Sequence, residues 1–272
     1  MLVRPCWFRS EATVKHRVVS AFLRAGVCLS KQADEGTVRD LIASLHPVTT
    51  CFPLIRIGDD GDGGYLLPDD LDGISACFSP GVSHWAPFET DLIGRGIPCF
   101  LADASVDEAP IKGASFIKKF VGVIDDDTTI RLDDWVAEFA PNEGDLLLQM
   151  DIEGAEWPVL LNASAAVLRR FRIMVIEFHD LERLMDEHAL PIIAGVFARL
   201  LRDFHIVHNH PNNYGRTVHK GDLVIPRVME MTFLRKDRAE ASGFATTFPH
   251  PFDRTNAPHQ ADVALPTAWY GG

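Results

Sequence analysis

Residues Leu146 to Trp157 read LLLQMDIEGAEW, an apolar run that stops on Asp151 with a second acid, Glu153, two residues later. A continuous apolar run is what a strand buried on both faces of a parallel sheet looks like. A carboxylate at its end is delivered to the sheet edge where open α/β proteins hold their ligands. Histidines follow downstream: His179 closes VIEFH, and His208 and His210 lie in HNHPNN. Imidazole is neutral near pH 7 and can take a proton from a hydroxyl, so these three are the candidate bases. Strand alternation puts Glu177 on the same side as His179, where it is positioned to orient the ring, and Asn212 and Asn213 lie beside the group. A core or surface histidine is the plain alternative for each of the three taken singly.

The positions upstream are equally loaded. Ser79-Pro80-Gly81-Val82-Ser83 forms a tight turn after an apolar run, Asp103 ends the next run, and Asp125 and Asp126 follow the third. A glycine turn after a first strand lets a ligand approach the backbone, and an acid ending a second strand can accept hydrogen bonds from both ribose hydroxyls. Together they describe an adenosine site. Separately, each has a structural reading: Gly81 as turn geometry, Asp103 as a helix N-cap and Asp125 and Asp126 as a solvated loop. Neither GxGxxG nor GxxxxGK[ST] occurs. Asp151, Glu153, Glu177 or the histidines could also ligate a divalent metal that lowers an acceptor's pKa, a reading the sequence does not favour over the metal-free one. Glu156 and Trp157 just before Pro158 suit a helix start and read as structural.

These residues need a scaffold, and the apolar pattern supplies one. Strands are expected at 74–78, 97–101, 116–123, 146–150, 173–178, 206–208 and 228–234, with a helix from Pro87 to Ile93 and an amphipathic one built on Ile192, Ile193, Val196, Phe197, Leu200 and Leu201. The predicted fold is a doubly wound, seven-stranded, mostly parallel sheet, Rossmann-like, with an N-terminal helical extension. Val14, Val18 and Phe22, then Val38, Leu41, Ile42 and Leu45, recur at helical spacing and predict two leading helices that pack on the later core. Arg56 to Pro68 reads as a loop dense in Gly and Asp. The expected division is a helical extension over 1–50, a main domain over 51–240 and a tail or lid over 241–272, whose Phe244, Phe248, Phe252, Trp269 and Tyr270 favour docking.

At 272 residues and 47% hydrophobic composition, the chain can bury a full core. Its net charge is -12, although the first 31 residues carry six Lys and Arg against one acid. The acidic body disfavours nucleic acid and favours a small-molecule or glycan acceptor. No run approaches the roughly 18 apolar residues of a membrane span, so a cytoplasmic protein is expected. The five cysteines, an odd number and widely spaced, read as reduced packing residues. The basic N-terminal helix is read as a solvated charged face rather than a lipid or subunit contact. Composition leaves the oligomeric state open.

The segments DGDGGYLLPDDL, TIRLDDWV, QMDIEGAEW, VIEFH and HNHPNN, in this order from about Arg56 to Arg235, resemble the FkbM-type S-adenosylmethionine-dependent methyltransferases. The resemblance implies a class I methyltransferase fold, S-adenosyl-L-methionine as cofactor and O-methylation of a hydroxyl on a sugar or small natural product. Carried over by position, it implies that Ser79, Gly81 and Ser83 lie beside the cofactor, that Asp103 binds the ribose and that Asp151 lies near the sulfonium. Glu89, in the helix after the glycine turn, could reach the cofactor's amino group or be a surface acid favoured by the helix dipole. Asp62-Gly63-Gly64-Tyr65 would fold back over the cofactor, unless it is an ordinary turn. The first glycine motif departs from the family pattern, being reduced to SPGVS. Two other classes compete: a metal-dependent hydrolase using His208 and His210, and a non-catalytic cofactor-binding protein of the same fold.

Overall fold

The computed structural model describes residues 17–271 apart from Pro141. Val14, Cys6 and the basic residues Arg4, Arg9 and Lys15 lie outside the described residues.

Among the described residues fifteen strands follow in chain order: β1 (Val48–Thr49), β2 (Leu54–Ile57), β3 (Tyr65–Pro68), β4 (Ile74–Pro80), β5 (Cys99–Ala102), β6 (Ser115–Ile117), β7 (Phe120–Gly122), β8 (Thr129–Arg131), β9 (Asp145–Met150), β10 (Phe171–Phe178), β11 (Phe204–Pro211), β12 (Thr217–Lys220), β13 (Leu223–Pro226), β14 (Met229–Arg235) and β15 (Gly243–Phe244). Seven of them make the main sheet, in the order β11-β14-β10-β9-β4-β5-β6. β14 runs antiparallel to both neighbours, and the remaining pairings are parallel. The predicted seven-stranded, mostly parallel sheet is therefore present. Every residue of β10 is buried, Arg172 and Glu177 included, as the apolar run Ile173–Ile176 leads one to expect of a strand covered on both faces.

Alternation along the strands divides the core. Phe78, Leu148 and Ile176 pack with Val38, Ile42, Trp135, Leu160, Val196 and Phe197, whereas Cys77, Leu147 and Val175 pack with Tyr65, Leu67, Phe88 and Leu92. Burying a side chain the size of Phe197 stabilises the fold by roughly 1.5–3 kcal/mol. Local signals set the helix ends. Asp34 accepts the Thr37 N–H at 2.9 Å to cap Glu35–Ser44, and Pro191 lies in the first turn of Leu190–Asp203. The buried Arg172 ties the sheet's lower end together, donating to Asp145 at 2.8 Å and to the Asp72 carbonyl at 2.7 Å.

Several expectations are corrected. The third strand is two: Lys118 and Lys119 interrupt the apolar run, leaving β6 in the main sheet while β7 pairs with β8 outside it. The Arg56–Pro68 loop carries most of a hairpin, with Ile57 opposite Tyr65. Residues 17–24 are helical, but Val18 and Phe22 are exposed, so of the described residues in the two leading helices it is the second helix that packs on the core, through Val38 and Ile42. β11 extends to Pro211, which puts His208 and His210 inside a strand and not beyond one. Cys77 and Cys99 are buried register partners on β4 and β5, whereas Cys28 and Cys51 are exposed.

The tail docks through the buried Trp269, whose indole N–H donates to the Val224 carbonyl at 3.1 Å, while Phe244 and Phe252 stay exposed. Among the described residues, no helix is long and apolar enough to cross a membrane.

Candidate active site

Strand order reverses at β4, which has β9 on one side and β5 on the other, and a crevice opens beyond the carboxyl ends of the strands at such a point. A cavity of about 780 Å³ occupies it. Gly81, Val82 and Ser83 after β4, Asp103 after β5, and Asp151 to Glu153 after β9 line its walls.

Gly81 has a structural duty that differs from the one its sequence context suggests. Its φ is +87°, and a Cβ there would stand 1.5 Å from the Asp151 carbonyl oxygen. The missing side chain thus lets the turn after β4 lie against the end of β9. Asp103 accepts the Ser105 N–H at 2.7 Å through Oδ1, and its other oxygen has no protein partner among the described residues. That leaves an acceptor at the wall of the cavity.

Glu89, in the first turn of the helix Pro87–Gly94, is buried and faces the same space. Ser79 Oγ contacts Glu89 Oε1 and lies 2.7 Å from Gln149 Oε1, and the Gln149 amide nitrogen donates to Tyr65 Oη at 3.3 Å. Burial raises the Glu89 pKa, against the Ser79 hydrogen bond that lowers it. A single hydroxyl proton cannot serve two acceptors, so the second hydrogen comes either from a Glu89 carboxyl or from the Gln149 amide turned toward Ser79.

The glycine-rich segment before the sheet folds back as the Gly-Gly turn requires. Asp62, Gly63 and Tyr65 line the cavity, while Gly64 is turned into the loop, where a Cβ would meet the Asp59 carbonyl oxygen at 2.0 Å.

His179, Asp151 and Glu177 converge at the ends of β9 and β10. His179 Nδ1 is 3.1 Å from Glu156 Oε1, and Nε2 is 3.7 Å from Asp151 Oδ1, 3.5 Å from Glu153 Oε2 and 3.7 Å from Glu177 Oε1. Glu156, fully buried, also accepts the Ile152 and Gly154 N–H groups, so it fixes both the turn after β9 and the ring. Glu156 and not Glu177 orients the histidine, because the turn brings it to Nδ1. Trp157 adds an indole N–H bond to the His179 carbonyl at 3.0 Å.

Burial pushes Asp151 up to about 7, against His179, with Glu153, Glu156 and Asp62 adding to the rise. Burial likewise raises Glu177 well above the carboxylate range, reinforced by Asp151 and Glu230. Burial works against a charged His179, but the Glu156 hydrogen bond and the surrounding carboxylates hold its pKa above the usual imidazole value.

His208 and His210 do not join this group. Register puts Glu177, Glu230 and His210 in one row across β10, β14 and β11, but neither histidine lines the large cavity. The tail reaches them instead. Asp253 Oδ1 is 2.8 Å from His208 Nε2 and 3.7 Å from His210 Nδ1. Asn213 is likewise turned to the tail, exchanging bonds with Ala257, whereas Asn212 donates to Glu177 at 2.9 Å.

Asp125 and Asp126 cap the turn into β8, accepting the N–H groups of Arg131 and of Thr128 and Thr129, and face solvent. Phe120, Val121, Gly122 and Thr129 of the small β7–β8 sheet take the wall that those acids were expected to occupy. Trp85, 68% exposed, stands on the cavity wall as well. The sequence flags none of these. Gln149 carries the one usable signal, a polar residue inside an apolar strand.

Residues 71–199 match the family model described as the methyltransferase FkbM domain. This span contains the Gly81 turn, Asp103, Asp151 and His179, ends before His208, and supports a methyltransferase. No curated protein matches the chain.

Proposed function

We propose that this chain, whose residues 71–199 carry the FkbM-type domain, is an S-adenosylmethionine-dependent O-methyltransferase acting on a hydroxyl of a sugar or small natural product. The observation that carries the reading is the single cavity bounded by the Gly81 turn, Asp103 and Asp151. Its size is within the range of small-molecule and cofactor sites. The chemistry of its walls fits the cofactor: Asp103 offers a free acceptor oxygen to ribose hydroxyls, Glu89 and Ser79 offer polar groups beside Gly81, and Asp62 with Gly63 and Tyr65 covers the opening.

When bound, S-adenosylmethionine supplies an activated methyl group for an acceptor oxygen. The chain's own task is to hold that oxygen in line and remove its proton. Asp151, which lines the cavity, belongs to the group with Glu177 and His179, and we assign loss of the acceptor proton to that group. Glu156 acts through His179 by fixing its ring. The hydrolase alternative has less support, because His208 and His210, although they stand with Asp253 at metal-ligand spacing, do not line the cavity.

Calorimetric titration with S-adenosylhomocysteine, followed by methyl transfer to a panel of hydroxylated acceptors, tests the reading. Binding and turnover are expected. Absence of binding would overturn it, and binding without turnover on any acceptor would favour the non-catalytic alternative.

A further inference from the structure

We infer that Asp151, Glu177 and His179 form a binding site for one divalent cation at the carboxyl ends of β9 and β10. One ligand atom from each lies within 4.8 Å of the others. The separations of 3.5–3.7 Å from His179 Nε2 to the three carboxylates are too long for hydrogen bonds. Ligand atoms held about 2.1 Å from a common cation stand roughly 3.0–3.4 Å apart, so the set closes around an ion by drawing in, by a few tenths of an ångström about His179 and by at most about 1.4 Å between the carboxylates.

Three further observations point the same way. Asp151 Oδ1 and Glu177 Oε2 are buried with no hydrogen-bond partner, although Glu177 is only 5% exposed. Buried acceptors are rarely left so. Among the described residues, no Lys or Arg forms an ion pair with Asp151, Glu153, Glu156 or Glu177, whereas Asp70 and Asp145 each have two arginines. His179 is preset as a ligand, since its Nδ1–H donates to Glu156 and the Nε2 lone pair of that tautomer faces the carboxylates.

The backbone agrees. The non-glycine residues with positive φ among those described are Glu153 at 54° and Asp180 at 57°, one just after Asp151 and the other directly after His179. Strain of this kind persists where surrounding structure fixes it and gathers at functional sites.

A mixed set of one imidazole and two carboxylates suits Mn²⁺, Fe²⁺ or Zn²⁺. On the methyl-transfer reading of the cavity, on which this consequence rests, the cation would hold the acceptor's hydroxyl oxygen and lower its pKa. With the His179 Nε2 lone pair on the cation, the group's part in proton loss would be to hold the ion, and the O–H proton would leave through the exposed Glu153 carboxylate to solvent.

The test is titration of the chelator-treated full chain with Mn²⁺, followed by calorimetry and by the electron paramagnetic resonance of the ion. One Mn²⁺ per chain is expected, weakened about ten- to a hundredfold by Glu177→Gln or Glu156→Gln and left unchanged by Asp253→Asn. Asp151→Asn, at a half-buried position, serves where Glu177→Gln fails to fold. No binding at about millimolar Mn²⁺ overturns the site, as does binding that survives Asp151→Asn or is lost in Asp253→Asn, which would assign the ion to His208 and His210. Titration of the same samples with S-adenosylhomocysteine separates the two readings. Cofactor binding without Mn²⁺ removes the cation site alone, and Mn²⁺ binding without cofactor removes the methyl-transfer reading alone.

Discussion

Gly81 and Asp151 meet backbone to backbone, with the position of a Cβ on residue 81 only 1.5 Å from the Asp151 carbonyl oxygen. The turn that ends β4 and the acid that ends β9 are therefore one unit, and neither can move without the other. Gly81→Ala should destabilise the chain by about 3 kcal/mol or more, since it meets both a positive φ and a backbone atom that cannot yield. Denaturant unfolding monitored by tryptophan fluorescence measures this. A variant as stable as the parent would show that the two segments are not locked together.

Asp103→Ala should weaken S-adenosylhomocysteine by about 1.5–3 kcal/mol, the worth of hydrogen bonds to a charged group, and leave the melting temperature nearly unchanged. Its carboxylate makes one internal hydrogen bond, to the Ser105 N–H, so the fold loses little. Calorimetry reads the affinity, and equal affinity in the variant would remove Asp103 from the ribose.

His179→Ala and His210→Ala should part company. Loss of His179 is expected to slow methyl transfer about 10²- to 10⁴-fold while cofactor affinity holds. Loss of His210 should leave turnover near the parent's and lower stability, because its surroundings are the tail's Asp253 and the buried Glu230. Turnover rates and melting curves of the two variants decide it, and the reverse pattern would return the base to β11.

The clasp between His210 and Asp253 predicts a pH dependence. Burial opposes a charged His210, but Asp253, Glu230 and Asp262 hold its pKa at about 9, above the ordinary value of 6.5. Its contribution is complete below 6.5 and disappears as pH rises through about 9. Asp253 is also buried, but His208 and His210 hold its pKa well below the ordinary 3.8, so its contribution is present above 3.8 and lost only in stronger acid. The gap in melting temperature between parent and His210→Gln should thus be wide between these ordinary values and narrow above pH 9. A gap that widens with alkali would contradict the assignment.

How much of this was legible follows from what each residue depends on. β9 and β10 are readable because burial on both faces writes the apolar runs Leu146–Leu148 and Ile173–Ile176, and Asp103 and Asp151 because an acid follows such a strand. The break at Lys118 and Lys119 was not read, since Phe120 to Val123 resumes the same apolar character outside the main sheet. His208 and His210 were read as lying beyond a short strand, and nothing local shows that Asp253, 45 residues beyond His208, is their partner. Glu156 was read as a helix start, which it is; its bond to His179 depends on the turn after β9 bringing 156 and 179 together.

The two borders of the main sheet differ in what they expose. β6 is three residues long and offers little to pair with, but β11 runs for eight residues and, among the described residues, has no strand of the main sheet paired on its outer side. Such a border is a template on which other chains can add. The C-terminal segment anchors beside it through side chains, Asp253 to His208 and Phe248 stacked on the His208 ring, rather than as a further strand of the main sheet. Removing the tail would uncover this border, and a chain shortened before Phe248 should scatter light on mild heating well before its remaining fold melts.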